Sequence, residues 1–326
     1  MTEAIAALSP PENAKGETRG VGVEIEFSGL DVAAASRAVA DALDGEIEQV
    51  HHQRAHVHAA QGRFVVELDT RWADPDYVAE HAADLDPEIR RTLARGVSSV
   101  AGAVLSSVFP VEVVCPPIPH DRLGDLAPVI DRLARAGALG TRHSAFSGFG
   151  THFNVEAARL TVDHILPIMQ AYCLMDFSLR RDARIALIRR MQSYILPFPE
   201  AYKRHILAQD YRPHLSRFMD DHMTLNPSRD MELDLLPLFA HIDAARVRDA
   251  LPDEKNSARP TFHWRLPDCR IDEPGWSLAE DWGRWAQVEA LAADGDRLAS
   301  LAASYLREGP TSDFAARVRR FIDMFE

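Results

Sequence analysis

Residues 19–30 read RGVGVEIEFSGL, and the side chains of this stretch alternate strictly between two kinds. Between positions 21 and 27 every odd residue is large and apolar, and every even residue is glycine or glutamate. Because successive side chains of a β-strand point to opposite faces, the pattern predicts a strand with one apolar face and one face that carries Glu24 and Glu26. Two carboxylates on neighbouring positions of one face require an explanation.

The same alternation recurs in four later stretches of the chain. They are RFVVELDT (63–70), VEVVC (111–115), THFNVE (151–156) and TFHWRL (261–266). If the five strands share one mostly antiparallel sheet, one face packs on helices and the other collects acidic, amide, imidazole and guanidinium groups. The residues collected on that polar face are Glu24, Glu26, Glu67, Glu112, His152, Asn154, His263 and Arg265.

These polar side chains are suited to binding divalent cations. Carboxylate oxygens, an amide oxygen and imidazole nitrogens are ligands of Mg²⁺ or Mn²⁺. Residues two apart on a strand lie about 6.5 to 7 Å apart, so Glu24 and Glu26 can reach one ion together or two ions about 4 Å apart. The alternative is a solvated sheet face, which each strand fits equally well when taken alone.

Composition narrows the class of protein. A chain of 326 residues, 46% of them hydrophobic, can bury a large core. No apolar run approaches the roughly 18 residues of a membrane span, and the net charge of -13 argues against a nucleic-acid partner. The three cysteines form neither a disulfide framework nor a paired metal motif, which fits a cytoplasmic protein. None of the three lysines lies in a Walker phosphate loop.

The remaining pattern indicates an α+β chain. Asp31 is placed to cap a helix that Gly45 ends, and the runs between residues 46 and 70 predict an antiparallel meander with a turn at 61–62. Further helices are predicted at 87–107 and 120–136, and a capping box at 277–280 opens the final helical region.

Six motifs occur in a characteristic order along the chain. They are GVEIEF (22–27), VELD (66–69), EVVCPPIP (112–119), GTHFNVE (150–156), NPSRDMELDLLPLF (226–239) and RPTFHWRLPDC (259–269). Together they resemble the amidoligases, relatives of glutamine synthetase and glutamate-cysteine ligase. The resemblance implies a glutamine-synthetase-like fold, in which an antiparallel sheet curves into a half-barrel with helices on its convex face.

The resemblance also implies a division of the chain. We expect residues 1–18 to form a flexible tail and residues 19–292 to form the catalytic domain. Within that domain, residues 160–255 would be a mostly helical insertion. Residues 293–326 would form C-terminal helices, and assembly into a homo-oligomer stays open.

The implied reaction is an ATP-dependent ligation. ATP phosphorylates a carboxylate, and an amine or ammonia then displaces the phosphate to form an amide; both substrates are small molecules or peptides. The resemblance implies that Glu24, Glu26 and Glu67 hold Mg²⁺ or Mn²⁺, that His152 contacts metal or phosphate, and that Arg265 steadies the transferred phosphoryl group. Glu67 and Arg265 are thus the expected catalytic residues.

His263 departs from the family pattern. In the broader superfamily the last strand tends to carry Glu two residues before the Arg. Imidazole can ligate a divalent ion, but histidine in place of glutamate takes away one anionic ligand. The change favours Mn²⁺ or Zn²⁺ over Mg²⁺. We therefore include His263 among the expected metal ligands.

Other polar residues are candidates for binding substrate or nucleotide: Glu112, Asn154, His56, His58 and Arg229. His56 and His58 belong to a histidine cluster in the meander, for which a metal site and a packing or solvent role are alternatives. The segment 140–150 could be a substrate lid or an ordinary connection. Two other functions stay open, a metal-dependent hydrolase of amides or phosphoesters and a non-catalytic ligand-binding protein on a degenerate ligase fold.

Overall fold

One open, curved antiparallel sheet organises the computed structural model, which describes residues 4–68, 110–143, 150–182, 195–252 and 257–324. Its strands are β1 (Gly20–Phe27), β2 (Glu46–His51), β3 (Arg54–Ala59), β4 (Gly62–Leu68), β5 (Val111–Val114), β6 (Ile118–Pro119), β7 (Thr151–Glu156), β8 (Leu233–Asp234) and β9 (Thr261–Trp264). Their order is β2-β3-β4-β5-β1-β7-β9-β8, and β6 pairs with β1. The five predicted strands therefore share one sheet, which the sequence analysis had assumed.

Ten α-helices accompany the sheet in the described part of the chain. They are α1 (Val32–Leu43), α2 (Ala127–Ala136), α3 (Val162–Asp182), α4 (Glu200–Leu207), α5 (Leu215–Leu225), α6 (Leu236–Ile242), α7 (Ala244–Ala250), α8 (Leu278–Ala293), α9 (Gly295–Glu308) and α10 (Ser312–Ile322). Two 3₁₀ segments, His120–Leu126 and Thr141–His143, complete the list. The helix predicted at 120–136 is thus a 3₁₀ segment followed by α2, which begins next to a proline.

The apolar face of the sheet forms the core. The odd-numbered side chains of β1 are fully buried, from Val21 to Phe27. On β7 and β9, Phe153 and Trp264 pack against Trp282 and Trp285 of α8, with ring centroids 5.7 to 6.0 Å apart. Burial of each such side chain contributes about 1.5 to 3 kcal/mol, so the alternating pattern determines which face of the sheet turns to the helices.

Helix α1 begins as predicted and ends one residue earlier than predicted. The Asp31 side chain accepts a hydrogen bond from the Ala34 amide and caps the helix. At the other end Asp44, at φ 52°, takes the left-handed position that we assigned to Gly45. Gly45 meets a different constraint, because a Cβ there would lie 2.8 Å from the Val57 side chain.

The described part of the N-terminal segment, from residue 4 onward, packs on α8. Leu8 is buried in the core. The indole of Trp282 donates to the Ala6 carbonyl (2.8 Å), and the Ser9 amide donates to Glu289 (3.3 Å). These contacts join the N-terminal segment to α8.

A buried ion pair ties the start of the sheet to α8. Both terminal nitrogens of Arg19 donate to the Glu289 carboxylate at 2.7 Å, and both side chains are fully buried. The Trp285 indole donates to the same carboxylate, and Arg19 Nε donates to the Glu156 carbonyl. Arg19 therefore supplies the opposite charge that this buried carboxylate needs.

Arg19→Met should lower the free energy of unfolding by about 3 to 5 kcal/mol, because it leaves a buried charge without its partner. Urea unfolding followed by tryptophan fluorescence measures the loss. The double variant Arg19→Met, Glu289→Leu is the matched control, since it removes both charges and should recover part of the stability. A loss below about 1 kcal/mol in the single variant, typical of exposed pairs, would contradict this account.

Several expectations concern other parts of the chain. The helix predicted at 87–107 and the centre of the 140–150 segment lie outside the described residues. Residues 160–255 hold helices α3 to α7 and also strand β8, which joins the sheet through β9. The three cysteines are buried and unpaired, consistent with packing roles. No helix in the described ranges has the length and apolar character needed to cross a bilayer.

Candidate functional site

Strand register brings the predicted polar residues together on the second face of the sheet. Glu26 on β1 stands opposite Glu112 on β5, which in turn stands opposite Glu67 on β4. Two residues earlier on β1, Glu24 stands opposite His152 on β7. These contacts depend on pairings between segments far apart in sequence, so the central position of β1 decides which carboxylates meet.

A third row crosses the other half of the sheet. Asn154 on β7 stands opposite His263 on β9, and His263 stands opposite Asp234 on β8. The side chains of all three residues are buried. The polar face is therefore a partly enclosed site at its centre, which argues against the alternative of a solvated face.

Glu24 is the most connected carboxylate of the site. Its side chain accepts from His152 Nδ1 (3.1 Å), Asn154 Nδ2 (2.8 Å) and Arg259 Nη1 (3.4 Å), and His263 Nε2 lies 3.5 Å away. Burial acts to raise the pKa of Glu24, but the hydrogen bond from His152 and the nearby His263 outweigh it and hold the pKa well below its usual range. Glu24 is therefore an anion at neutral pH although only 8% of it is exposed.

Two groups of potential metal ligands adjoin each other here. Glu24, His152 and His263 each offer one ligand atom within 4.8 Å of the others, and so do Glu26, Glu112 and His152. His152 belongs to both groups. While its Nδ1 donates to Glu24, its Nε2, which lies 3.9 Å from Glu26, is the atom that remains for a metal ion. A carboxylate that orients a ligating histidine in this way is common at metal sites.

The donor atoms fit a divalent ion. His263 Nε2 and Asn154 Oδ1 are buried and have no hydrogen-bond partner among the described residues. Burial, followed by the charge of Arg265, lowers the pKa of His263 to about 4, so its imidazole is neutral and able to ligate at pH 7. His263 Nδ1 accepts from Arg265 Nε (3.4 Å) in this arrangement, and ligation through Nε2 would move the proton to Nδ1, toward Asp234 Oδ2 at 3.9 Å.

Arginine side chains gather beside these ligands. Arg265 Nη2 donates to Asp234 Oδ2 (2.9 Å), its Nη1 donates to the Arg229 carbonyl (2.9 Å), and its Nε lies 3.4 Å from His263 Nδ1. Arg229 Nε donates to the same Asp234 oxygen (3.2 Å). Asp234 thus holds two arginines in place. Arg259, which lies two residues before β9, donates to Glu24.

Asp234 and Arg259 were missed in the sequence analysis. Asp234 lies in MELDLL, where alternating Glu232 and Asp234 repeat the opening pattern within a region that we took as helical. Arg259 begins the RPTFHWR motif, but no local pattern shows that it reaches β1. The period-two signal could have identified Asp234, whereas Arg259 required the fold.

Other predicted residues lie farther from the centre. Glu67 belongs to neither ligand group and pairs with Arg54 (3.3 Å), although it stands next to Glu112 in the row. His56 and His58 lie on β3, three strands from β1, where they contact Glu48. Their expected roles in metal, substrate or nucleotide binding stay predictions.

Comparison with known families agrees with the motifs. A family described as "Putative amidoligase enzyme" matches residues 17–287, a range that contains all described strands and the whole candidate site. No curated protein and no solved structure matches the chain significantly. The match covers most of the chain and confirms the resemblance, and the protein therefore belongs to this amidoligase family.

Proposed function

We propose that the protein joins a carboxylate to an amine or ammonia at the expense of ATP, through an acyl phosphate. The observation that carries the proposal is the pair of adjoining ligand groups that share His152, next to three arginines. Membership of the amidoligase family supports the ligase class. A glutamine-synthetase-like half-barrel, as the motifs imply, would place these residues in its concave face.

The charges of the site divide into two halves that suit a metal-bound polyphosphate. Glu24 and Glu26 lie on β1 and Glu112 lies on the neighbouring β5, whereas Arg229 and Arg265 lie beyond β7 on the β8 and β9 side. Divalent ions held by the acidic half would neutralise charge on the phosphate oxygens. The planar guanidinium groups of the arginines would donate hydrogen bonds to the same phosphate oxygens.

The reaction balances as two displacements. A carboxylate oxygen of the substrate attacks the γ-phosphorus of ATP, the bond from that phosphorus to the bridging oxygen breaks, and ADP leaves. The amine nitrogen then attacks the acyl carbon, and inorganic phosphate leaves with the carbon–oxygen bond electrons. Activation is needed because a free carboxylate is a poor acyl donor.

Two residues of this chain receive catalytic roles in the proposal. Arg265, buried and held by Asp234, would stabilise the charge on the transferred phosphoryl group without needing to reorganise. Glu67, on β4 beyond Glu112, would accept the proton that the attacking amine loses. Glu112 and Asn154 would border the bound substrates.

The proposal predicts metal-dependent nucleotide binding. Calorimetric titration with a non-hydrolysable ATP analogue should show at least a tenfold higher affinity in MnCl₂ than in EDTA, because the carboxylates repel phosphate until cations are bound. Mn²⁺ should support tighter binding than Mg²⁺, since neutral imidazoles replace anionic ligands. Equal affinity with and without metal would contradict the proposal.

A metal-dependent hydrolase is the second candidate. Glu24, His152 and His263 form a two-histidine, one-carboxylate set, which catalytic zinc uses with a water in its open position. This reading expects Zn²⁺-dependent cleavage of amides or phosphoesters without any nucleotide. Tight nucleotide binding without phosphate release, for any tested pair of acid and amine, would instead indicate a non-catalytic binding protein.

A further inference from the structure

A second group of potential ligands lies on the hairpin at the open edge of the sheet. Glu48 on β2 stands opposite His56 on β3, and His58 follows two residues later on the same face. One atom from each of these three side chains lies within 4.8 Å of the others. With strands about 4.8 Å apart, three strand spacings place His56 about 14 Å from β1. This group, which we name the edge cluster, lies on the same face as the two central ligand groups and is separate from both of them.

The backbone already directs the three side chains to one point. Glu48 Oε2 accepts from His58 Nε2 (2.8 Å) and from His56 Nδ1 (3.3 Å). These hydrogen bonds, with that of His58 the stronger, lower the pKa of Glu48. Because the antiparallel register fixes which residues face each other, the cluster needs no rearrangement of the hairpin to assemble.

We propose that the edge cluster binds a transition-metal ion of the Zn²⁺ or Ni²⁺ type. Two imidazoles and one carboxylate favour such ions over Mg²⁺, which prefers oxygen ligands. Metal–ligand bonds of about 2.0 to 2.2 Å would replace the two hydrogen bonds to Glu48, with the donor and acceptor atoms moving only slightly. The site goes beyond the proposed ligase reaction and does not depend on it.

The ion would act as a clip between β2 and β3. Strand β2 is the last strand at this edge among the described residues, and its apolar Ile47 and Val50 are 43% and 47% exposed. An exposed edge strand with apolar side chains is prone to fraying and to pairing with other chains. Ligands on both strands couple metal binding to the closed hairpin, since the open hairpin cannot offer all three together.

The test is a calorimetric titration of the full chain with ZnCl₂, using the double variant His56→Ala, His58→Ala and the control His52→Ala. His52 is an exposed histidine on the same hairpin and is no member of the cluster. We expect the double variant to lose one zinc equivalent, or to bind it at least tenfold more weakly, and His52→Ala to match the wild type. Unchanged stoichiometry and affinity in the double variant would overturn the proposal.

Amide hydrogen exchange locates the bound ion independently of any enzymatic activity. Saturating ZnCl₂ should slow exchange at residues 46–59 at least tenfold in the wild type and in His52→Ala, with no such change in the double variant. Protection confined to β1 and β7 would assign the zinc to the central site and overturn the edge site. Since neither measurement uses nucleotide, failure here leaves the ligase proposal standing, and failure of nucleotide binding leaves this one standing.

Discussion

Glu24→Gln is expected to lower Mn²⁺ affinity about 100-fold and metal-dependent ATP turnover about 1000-fold. Glu24 is the anion around which His152, His263 and Asn154 are arranged. Glutamine keeps the shape of the side chain but removes its charge, and its amide group turns a donor toward the donors that now face it. Calorimetry with MnCl₂ measures the first effect, and phosphate release from ATP with an acid and an amine measures the second.

A matched control separates this effect from a general change in charge. Glu12→Gln removes an exposed carboxylate that precedes β1 and belongs to none of the ligand groups, and it should leave both quantities within about twofold of the wild type. Circular dichroism and urea unfolding establish that both variants fold. Wild-type manganese affinity in a folded Glu24→Gln protein would exclude Glu24 as a ligand.

Arg265→Lys should reduce ATP turnover about 100-fold while leaving Mn²⁺ affinity unchanged. The guanidinium contacts Asp234, the Arg229 carbonyl and His263 at once, and a lysine ammonium cannot reproduce that planar fork. The variant should therefore keep the metal ions and lose the alignment of the phosphoryl group. The contrast with Glu24→Gln, which loses both, assigns the two residues to different steps.

Arg270→Lys is the control for this substitution. Arg270 is also largely buried and pairs with Glu273 and Glu280, away from the site. We expect its turnover to match the wild type within about threefold, because an ion pair outside the site does not touch the phosphates. If Arg265→Lys and Arg270→Lys lose activity equally, the effect of Arg265 is structural.

The alternation of apolar and polar residues was enough to predict both faces of the sheet. Val23 and Ile25 face the core because burying them is favourable, and the same period places Glu24 and Glu26 on the opposite face. The local pattern did not predict that these carboxylates are buried, at 8% and 3% exposure. It follows from the neighbouring strands, which bring Glu112, His152 and Asn154 against these carboxylates from distant parts of the chain.

The errors and omissions have the same origin. Arg259 reaches Glu24 across 235 positions of sequence, and β8 is too short, at two residues, to give a clear strand signal for Asp234. Leu8 has no periodic neighbours, and its burial depends on a helix at the other end of the chain. Local propensity does not predict contacts between residues so far apart in sequence. The family motifs identified the central ligands because they reflect the fold that the family shares.

Anomalous diffraction from crystals soaked with MnCl₂ and a non-hydrolysable ATP analogue tests the central claim most directly. The account predicts manganese peaks in contact with Glu24 and with Glu26, bridged to phosphate oxygens that extend toward Arg265. Manganese or nucleotide bound elsewhere, with no peak within bonding distance of Glu24 or Glu26, would contradict it.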